Sequence, residues 1–498
     1  MQTYIWRCVS LVVNFLSFLV VVPYLSSNPQ LYGIYTFCIS FQLYLSYADI
    51  GFLSAGQKYA AEAFARGDRQ EEINIFGFVA AVLLVMILPF SLLMIGMAIN
   101  PDWAINGVLE ENKPLVSTLF WILAIVTPIQ MLLQRLVQSI LTIRVKDFVA
   151  ARVDVIGSVI KILSVFYFFT GGRYMLAEYF LFTNSVTIIC AIIIIEIIKK
   201  KENYNIGALV KSVKFSKKYF DLMKRLSFTA LGATVSWVIC YELDPIIIGK
   251  VFSVNEVSLY AVCFTLINYV RHFLNIIYGP YAQRFNHFVA LNQSNDLREM
   301  LFGIVKYTFP ICLFICAIMS FSSKYLILLW VGENYEDSIP LLVILSWFFI
   351  FHFISQPGNN LCIATKRYMT LNLKSILLPF SFIGSFVIMS LMGIGYVSFA
   401  YAKIIMVVVS FLIMRREVVK WISISDAIKP FIPLVLVIIV LGLVSHFLYP
   451  LLFPQPSKNI VMLIELVLLC CAFLAVYFGF MVLFDSNVRK KIKVIIKK

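Results

Sequence analysis

The chain has 498 residues, of which 61% are hydrophobic and only 13% are charged. Soluble proteins average about 45–50% apolar and about 25% charged residues, so this composition excludes a soluble globular protein and predicts one that crosses a membrane many times. The formal net charge of +15 would suit a nucleic acid or an anionic lipid surface, but the positions of the basic residues favour a role in membrane topology instead.

Apolar runs close to the ~20 residues that cross a ~30 Å hydrocarbon layer occur fourteen times along the chain. An even number of spans places both termini on the same side of the membrane. The division between the eleventh and twelfth spans depends only on Gly393-Ile394-Gly395. The predicted spans are 4–25, 31–60, 74–99, 115–140, 148–170, 174–198, 226–250, 257–284, 301–321, 338–363, 373–392, 394–414, 431–450 and 460–484.

Lysine and arginine are distributed unevenly among the loops. If the N-terminus is cytoplasmic, 29 of the 41 basic residues lie in cytoplasmic loops and the tail, 5 lie in outer loops and 7 lie within spans. In this count Arg152, Lys250, Arg284 and Lys374, near the ends of spans, are assigned to the adjoining loops. Cytoplasmic loops of membrane proteins carry this excess. We therefore predict that both termini are cytoplasmic, and we interpret the basic runs as orientation signals and lipid-surface contacts, with no nucleic-acid partner.

All ten cysteines lie within predicted spans, and none lies in an outer loop. The sequence therefore predicts no disulfide. No Cys or His spacing indicates a metal site, and we interpret the first apolar run as a retained span, since no basic stretch precedes it.

A polar face runs through the middle of the eighth span. Thr265, Asn268, Arg271 with His272, and Asn275 follow one another at helical spacing on one side of the helix. A charged side chain in lipid costs ~2.5–3.5 kcal/mol on insertion scales. We therefore expect this face to line the passage of a membrane transporter. His272 either titrates and couples to protons or stays neutral and bonds to a neighbouring span.

Basic residues outnumber acidic residues inside the spans. Candidate acidic partners are Asp49, Asp154 and either Glu242 or Asp244. Excess positive charge in a cavity attracts an anion, although cations near span ends can instead extend to the interface. The seven cations are Arg7, Lys58, Arg135, Lys161, Arg271, Lys306 and Lys403.

We predict that an anionic substrate binds to most of these cations and to the polar face of the eighth span. The coupling-ion candidates are Asp49, Asp154 and His272. The substrate-binding candidates are Arg7, Lys58, Arg135, Lys161, Asn268, Arg271, His272, Asn275 and Lys403.

A weak internal repeat appears when the first half is shifted by 228 residues. Leu31-Tyr32 then falls on Leu259-Tyr260, and Gly51 falls on Gly279. The repeat predicts two six-helix lobes running in the same direction. The predicted segments are an N-lobe (1–198), a basic cytoplasmic linker on the membrane surface (199–225), a C-lobe (226–415), two further helices (430–484) and a basic cytoplasmic tail (485–498).

Short motifs in the second span add a family resemblance. The motifs are Leu31-Tyr32-Gly33-Ile34-Tyr35, Asp49-Ile50-Gly51-Phe52 and Gln57-Lys58-Tyr59-Ala60-Ala61-Glu62, which is followed by Gly67-Asp68. The two-lobed pattern and these motifs together resemble the polysaccharide transporter (O-antigen flippase) family. That family belongs to the multidrug/oligosaccharidyl-lipid/polysaccharide exporter (MOP) superfamily. The resemblance covers most of the chain, but the N-terminus is shorter than in many relatives.

The resemblance implies a V-shaped pair of lobes, alternating access and a cationic central cavity. It implies that an undecaprenyl-diphosphate-linked oligosaccharide moves from the cytoplasmic to the periplasmic leaflet of a bacterial inner membrane. The diphosphate would be the anion that the cations within the spans suggest, and the last two helices would accommodate the prenyl tail. The expected partners are this lipid-linked oligosaccharide, membrane lipid and other glycan-assembly membrane proteins. No cofactor is expected, and coupling to protons or sodium stays open.

Three other classes of protein remain as alternatives. A cation-coupled multidrug antiporter of the same superfamily requires a cavity dominated by Asp or Glu, whereas here cations predominate. A membrane polysaccharide polymerase or ligase would be an enzyme, and it requires acid and base residues on large outer loops; the outer loops here are short and contain no histidine. An ion channel requires a repeated filter-like loop, which the sequence lacks. The predicted protein is therefore a transporter and not an enzyme.

Overall fold

The computed structural model describes residues 2–484 except Ser46, 48–50, Val145 and Gly172. Two predicted site residues are affected, because Asp49 and the side chain of Arg7 lie outside the described residues. The described residues form α-helices and short 3₁₀ turns with no strand, which confirms the predicted all-α class. The α-helices are α1 (Gln2–Leu25), α2 (Pro29–Leu45), α3 (Phe52–Ala65), α4 (Arg69–Ile99), α5 (Lys113–Thr142), α6 (Asp147–Phe168), α7 (Leu176–Lys201), α8 (Ile206–Lys211), α9 (Lys217–Tyr241), α10 (Asp244–Val251), α11 (Val254–Ala290), α12 (Ser294–Trp330), α13 (Ile339–Ser346), α14 (His352–Ala364), α15 (Tyr368–Leu391), α16 (Ser398–Val418), α17 (Ile424–Ile428), α18 (Pro433–Leu452) and α19 (Ile460–Phe484).

Most helices correspond to predicted spans. Ten stretches of the described helical chain are long and apolar enough to cross a membrane, against the fourteen spans predicted from the sequence. The last span has the predicted limits, and the eleventh and twelfth spans separate where expected, because Gly393 and Gly395 both have positive φ. The tenth span is interrupted by a 3₁₀ turn at Trp347–Phe351. The chain is therefore a multi-pass membrane protein.

The second predicted span, 31–60, is wrong as a continuous helix. Helix α2 ends at Leu45 and α3 begins at Phe52, after Gly51 in a left-handed conformation with φ of 77°. Glycine adopts this conformation without the penalty that a Cβ brings. The seventh predicted span, 226–250, is also divided, because α9 ends at Tyr241 and α10 begins at Asp244.

The chain divides into two compact units, Met1–Ser258 and Leu259–Lys498, which we call unit 1 and unit 2. The division falls within α11 and not in the linker that separates the predicted lobes. The helices also extend into that linker from both sides, since α7 continues to Lys201 and α9 begins at Lys217. The exact lobe limits stay a prediction.

Unit 1 is organised around α5, which packs against α2, α4, α6 and α7. Its first half buries Leu119, Phe120 and Leu123 completely, whereas polar residues follow Pro128. Just beyond its end, the Arg144 guanidinium donates a 2.7 Å hydrogen bond to the Glu72 carboxylate, and both side chains are buried.

The linker packs on unit 1 as well. The Ser212 hydroxyl donates to the backbone oxygen of Ile73 at 3.1 Å, and a Cβ added to Gly77 would clash with the Ser212 hydroxyl oxygen. On α9, Lys218 and Tyr219 bond to the Glu71 carboxylate at 3.0 and 2.7 Å. Burial, followed by this bond, raises the pKa of Tyr219. The segment is therefore held by specific contacts with α4.

Unit 2 is organised around α12, which packs against α13, α14, α17, α18 and α19. The Tyr477 hydroxyl on α19 donates to the backbone oxygen of Pro310 at 3.1 Å. The Tyr449 hydroxyl on α18 bonds with Ser322 at 2.8 Å. The last two helices are thus fixed to α12 by buried hydrogen bonds.

Equivalent turns in the two units correct the register of the internal repeat. Helix α3 is followed by Gly67 at φ of 77°, and α11 is followed by Asn292 at φ of 56°. Gly and Asn are the residues that most readily adopt this left-handed position at a helix end. The turns are 225 residues apart, so the shift of 228 is wrong by three residues in this region.

Candidate functional site

A polar cavity of about 450 Å³ opens in unit 1 between α2 and α5. Five of its eight described lining residues are glutamine or arginine. Of the predicted substrate-binding residues, the cavity contains Arg135. Its polar lining residues are Gln42, Gln130, Gln134, Arg135 and Gln138.

Hydrogen bonds between side chains order these amides. Gln42 donates to Gln130 at 3.2 Å, and Gln130 donates to Gln134 at 2.7 Å. One turn further along α5, Gln138 donates to the Asp154 carboxylate on α6 at 3.4 Å. Each amide has both donors and acceptors, so this chain can exchange partners with the hydroxyl groups of a polar ligand.

Helix α6, which carries the predicted site residues Asp154 and Lys161, lies beside this cavity. Asp154 and Lys161 are both half-buried. Asp154 accepts the bond from Gln138, and the Lys161 ammonium donates to the Thr187 hydroxyl of α7 at 2.6 Å. Asp154 thus contacts the cavity wall directly, whereas Lys161 bonds to the neighbouring helix.

The polar face of α11 is present in unit 2. Asn268 and Arg271 are half-buried, and His272 and Asn275 are exposed. The Oδ1 atom of Asn268 is buried and has no hydrogen-bond partner among the described residues. The Thr265 hydroxyl donates to the backbone oxygen of Ala261 at 2.6 Å, so its hydrogen bond lies within its own helix. Substrate binding by this face stays a prediction.

Two further predicted cations lie in different surroundings. Lys58 is exposed on α3 and lies 5.3 Å from the ring centre of Tyr59. Lys403 is 1% exposed, and its ammonium lies 4.3 Å from the ring centre of Phe382 and within 5.8 Å of those of Phe399 and Phe264. Neither belongs to the described lining of the glutamine cavity, and their role in binding stays a prediction.

The sequence interpretation missed the glutamines of α5. Gln130, Gln134 and Gln138 are spaced by four residues, which places them on one face of a helix. That spacing in an otherwise apolar span could have revealed the cavity, but the prediction selected only Arg135 from this span. Gln57, whose amide donates to Ser139 at 2.9 Å, was also missed.

The described residues contain no group of three or more His, Cys, Asp or Glu side chains that could hold a metal ion. The nine cysteines from Cys38 onward are free thiols. The glutamine and arginine side chains that line the cavity offer hydrogen bonding and charge pairing. Arginine forms paired hydrogen bonds with phosphate, and amides bond to hydroxyls.

Comparisons with known proteins place the fold. No protein-family model and no curated protein matches the sequence. Among solved structures, the chain is similar to the lipid II flippase MurJ in an inward closed conformation, with 17% identity, a TM-score of 0.62 and coverage of 97% of this chain and 98% of that chain.

Transporters of the MOP superfamily also match. A multidrug resistance MATE family transporter in an inward-facing conformation has 14% identity and a TM-score of 0.60, over 84% of this chain and 95% of that chain. A MOP superfamily transporter from Pyrococcus furiosus, described as having a binding pocket of reverse polarity, has 15% identity and a TM-score of 0.55 with the same coverage. The protein therefore has the fold of MOP-superfamily transporters.

Proposed function

We propose that this protein is a flippase for an undecaprenyl-diphosphate-linked oligosaccharide, such as an O-antigen or related glycan repeat unit. It moves this cargo from the cytoplasmic to the periplasmic leaflet of a bacterial inner membrane by alternating access. In this proposal Arg135 pairs with the diphosphate, and the amides around it bond to glycan hydroxyls.

The observation that carries the proposal is the composition of the cavity in unit 1. Its described lining contains one arginine and four glutamines and no carboxylate. A cavity of this composition attracts an anion with many hydroxyl groups, and it provides no charge partner for a cationic drug.

The extent of the structural similarity is a second support. The lipid II flippase matches 97% of this chain, whereas the multidrug transporter matches 84%. By its name that protein flips a lipid, lipid II, and the cargo proposed here is also carried on a lipid. Helices α18 and α19 are fixed to α12, and the proposal assigns the prenyl tail to their surface.

A cation-coupled multidrug antiporter is the second candidate, and one residue favours it. Asp154 is a half-buried carboxylate that contacts the cavity wall through Gln138. In a flippase the same carboxylate is a candidate for proton or sodium coupling, together with Asp49 and His272.

Complementation of a strain that lacks its glycan flippase tests the proposal. We expect Arg135→Ala to reduce surface glycan ~10–100-fold, since a hydrogen bond to a charged group contributes ~1.5–3 kcal/mol, and Arg135→Lys to retain part of the activity. Arg66→Ala is the matched control, because that arginine is exposed at the end of α3 and belongs to no predicted site. Full export by Arg135→Ala would refute the cavity's role. Drug resistance that depends on Asp154, without glycan export, would favour the antiporter.

Cysteine labelling from outside the cell tests the orientation. Single cysteines near Glu111 and Glu336 are expected to react with a membrane-impermeant reagent, whereas one at Lys214 is expected not to react until the membrane is opened. Labelling of Lys214 in intact cells would reverse the proposed topology and place both termini outside.

A further inference from the structure

A second cavity, of about 910 Å³, lies in unit 2 between the end of α11 and the beginning of α12. Its described lining includes charges of both signs, with Arg284 and Lys306 as cations and Asp296 and Glu299 as anions. Lys306 is 7% exposed and lies 6.0 Å from the ring centre of Phe431. The cavity is separate from the residues assigned to the proposed cargo.

The equivalent place in unit 1 is filled by protein. At the register set by the two turns, Asp296 corresponds to Glu71, which is bound by Lys218 and Tyr219. Phe302 corresponds to Gly77, which packs against Ser212. In unit 1 the linker therefore covers the hairpin formed by α3 and α4. In unit 2 the equivalent hairpin, formed by α11 and α12, borders a space lined by charged residues.

Cations and acids together limit what can occupy this space. A simple anion would be repelled by Asp296 and Glu299, and a simple cation by Arg284 and Lys306. A ligand that carries both a phosphate and an ammonium group can pair with both sets of charges. Phosphate suits arginine and lysine, and ammonium suits carboxylates.

The position of the cavity indicates the source of such a ligand. Helix α12 has 37 residues and is about 55 Å long at ~1.5 Å per residue, much longer than the ~30 Å hydrocarbon layer. Its first turns precede the predicted span 301–321, so we expect them at the level of lipid headgroups. Phe288, Met300 and Ile304 add apolar lining that suits the upper part of an acyl chain.

We propose that this cavity binds a zwitterionic phospholipid of the phosphoethanolamine class. The phosphate pairs with Arg284 and Lys306, and the ammonium pairs with Asp296 and Glu299. The inference does not depend on the cargo of the transporter, because it concerns a lipid of the surrounding membrane.

Native mass spectrometry of the detergent-purified full chain tests this site with two lipids of identical acyl chains. We expect phosphatidylethanolamine to bind about tenfold more tightly than phosphatidylglycerol, because only the first adds an ion pair, and a charge-assisted bond contributes ~1.5–3 kcal/mol. Soluble phosphoethanolamine is expected to bind more weakly than the lipid, since it lacks acyl chains.

Three variants assign the binding to this cavity. Glu299→Gln is expected to remove the preference for phosphatidylethanolamine while leaving phosphatidylglycerol binding unchanged, and Arg284→Ala is expected to weaken both. Arg66→Ala, which removes an exposed cation at the end of α3, is the control and is expected to change neither. The proposal is overturned if Glu299→Gln keeps the wild-type preference, or if Arg66→Ala acts like Arg284→Ala. Equal binding of soluble phosphoethanolamine would overturn a lipid as the occupant.

Discussion

The hairpins α3–α4 and α11–α12 occupy equivalent places in the two units, yet they are covered in different ways. In unit 1 the linker closes the hairpin, with Ser212 against Gly77 and Lys218 on Glu71. In unit 2 the equivalent surface borders a charged cavity. A repeated fold thus keeps its helices while the chain that follows decides whether the space between them is sealed or available to a ligand.

The two units also stabilise buried cations differently. Arg144 of unit 1 has a carboxylate partner, Glu72, and lies over the rings of Phe64 and Tyr204 at 4.7 and 5.1 Å. Lys403 of unit 2 lies among phenylalanine rings from three helices. Cations in this protein can therefore be structural as well as functional, and substitutions are needed to tell the two apart.

The largest expected effect separates function from structure with one cation from each unit. Lys161→Ala in unit 1 and Arg271→Ala in unit 2 should each abolish glycan export, a loss of roughly 30-fold or more, because losing a partner of a charged pair costs about 2–5 kcal/mol. Arg271→Lys should retain partial export. Surface glycan and membrane abundance are both measured. If both alanine variants export normally, the cationic-passage hypothesis fails in both units.

The next effect concerns the buried pair of unit 1. Arg144→Ala should lower the free energy of unfolding by about 3–5 kcal/mol, because it leaves Glu72 buried without its partner. Thermal unfolding in detergent measures the change. Lys113→Ala is the control, since Lys113 pairs with the exposed Asp102 and Glu110, and such pairs contribute ~0–1 kcal/mol. Equal losses of stability in the two variants would contradict the expected difference between the buried ion pair and the exposed ion pairs.

The smallest effect is expected at Lys403. Replacement by methionine keeps a long apolar side chain among the same rings and removes a cation–π contact, which contributes up to ~2 kcal/mol when desolvated. The melting temperature of Lys403→Met should therefore fall less than that of Arg144→Ala. A greater loss of stability for Lys403→Met would show that unit 2 depends on its buried cation more than unit 1 does. Loss of export without loss of stability would assign Lys403 to binding.

Much of this fold could be predicted, because a long apolar run in the sequence identifies a membrane span. Helix α19 has the limits that hydropathy predicts, and Gly393 and Gly395 end one helix before the next begins. The break before α3 could not be predicted in the same way. Apolar residues continue on both sides of Gly51, so hydropathy joins α2 and α3 into one run, and the backbone conformation reveals the division.

The site was less accessible from sequence for a different physical reason. Charge density selected Arg135 and Asp154, and both border the glutamine cavity or contact its wall. Neutral amides were selected only on the face of α11 that carries Arg271, so Gln130 and Gln134 were overlooked although they form most of the network. The rings around Lys403 come from α11, α15 and α16, and no local spacing indicates that these helices meet.

The division at Gly51 has a mechanical consequence for unit 1. Helix α2 packs on α5 and α10, whereas α3 packs mainly on α4 and α9. The two halves of one membrane crossing therefore belong to different groups of neighbours. Both are nevertheless tied to α5, through Gln42 on Gln130 and Gln57 on Ser139. Because α5 is bonded to both halves, a displacement of α5 would move α2 and α3 together.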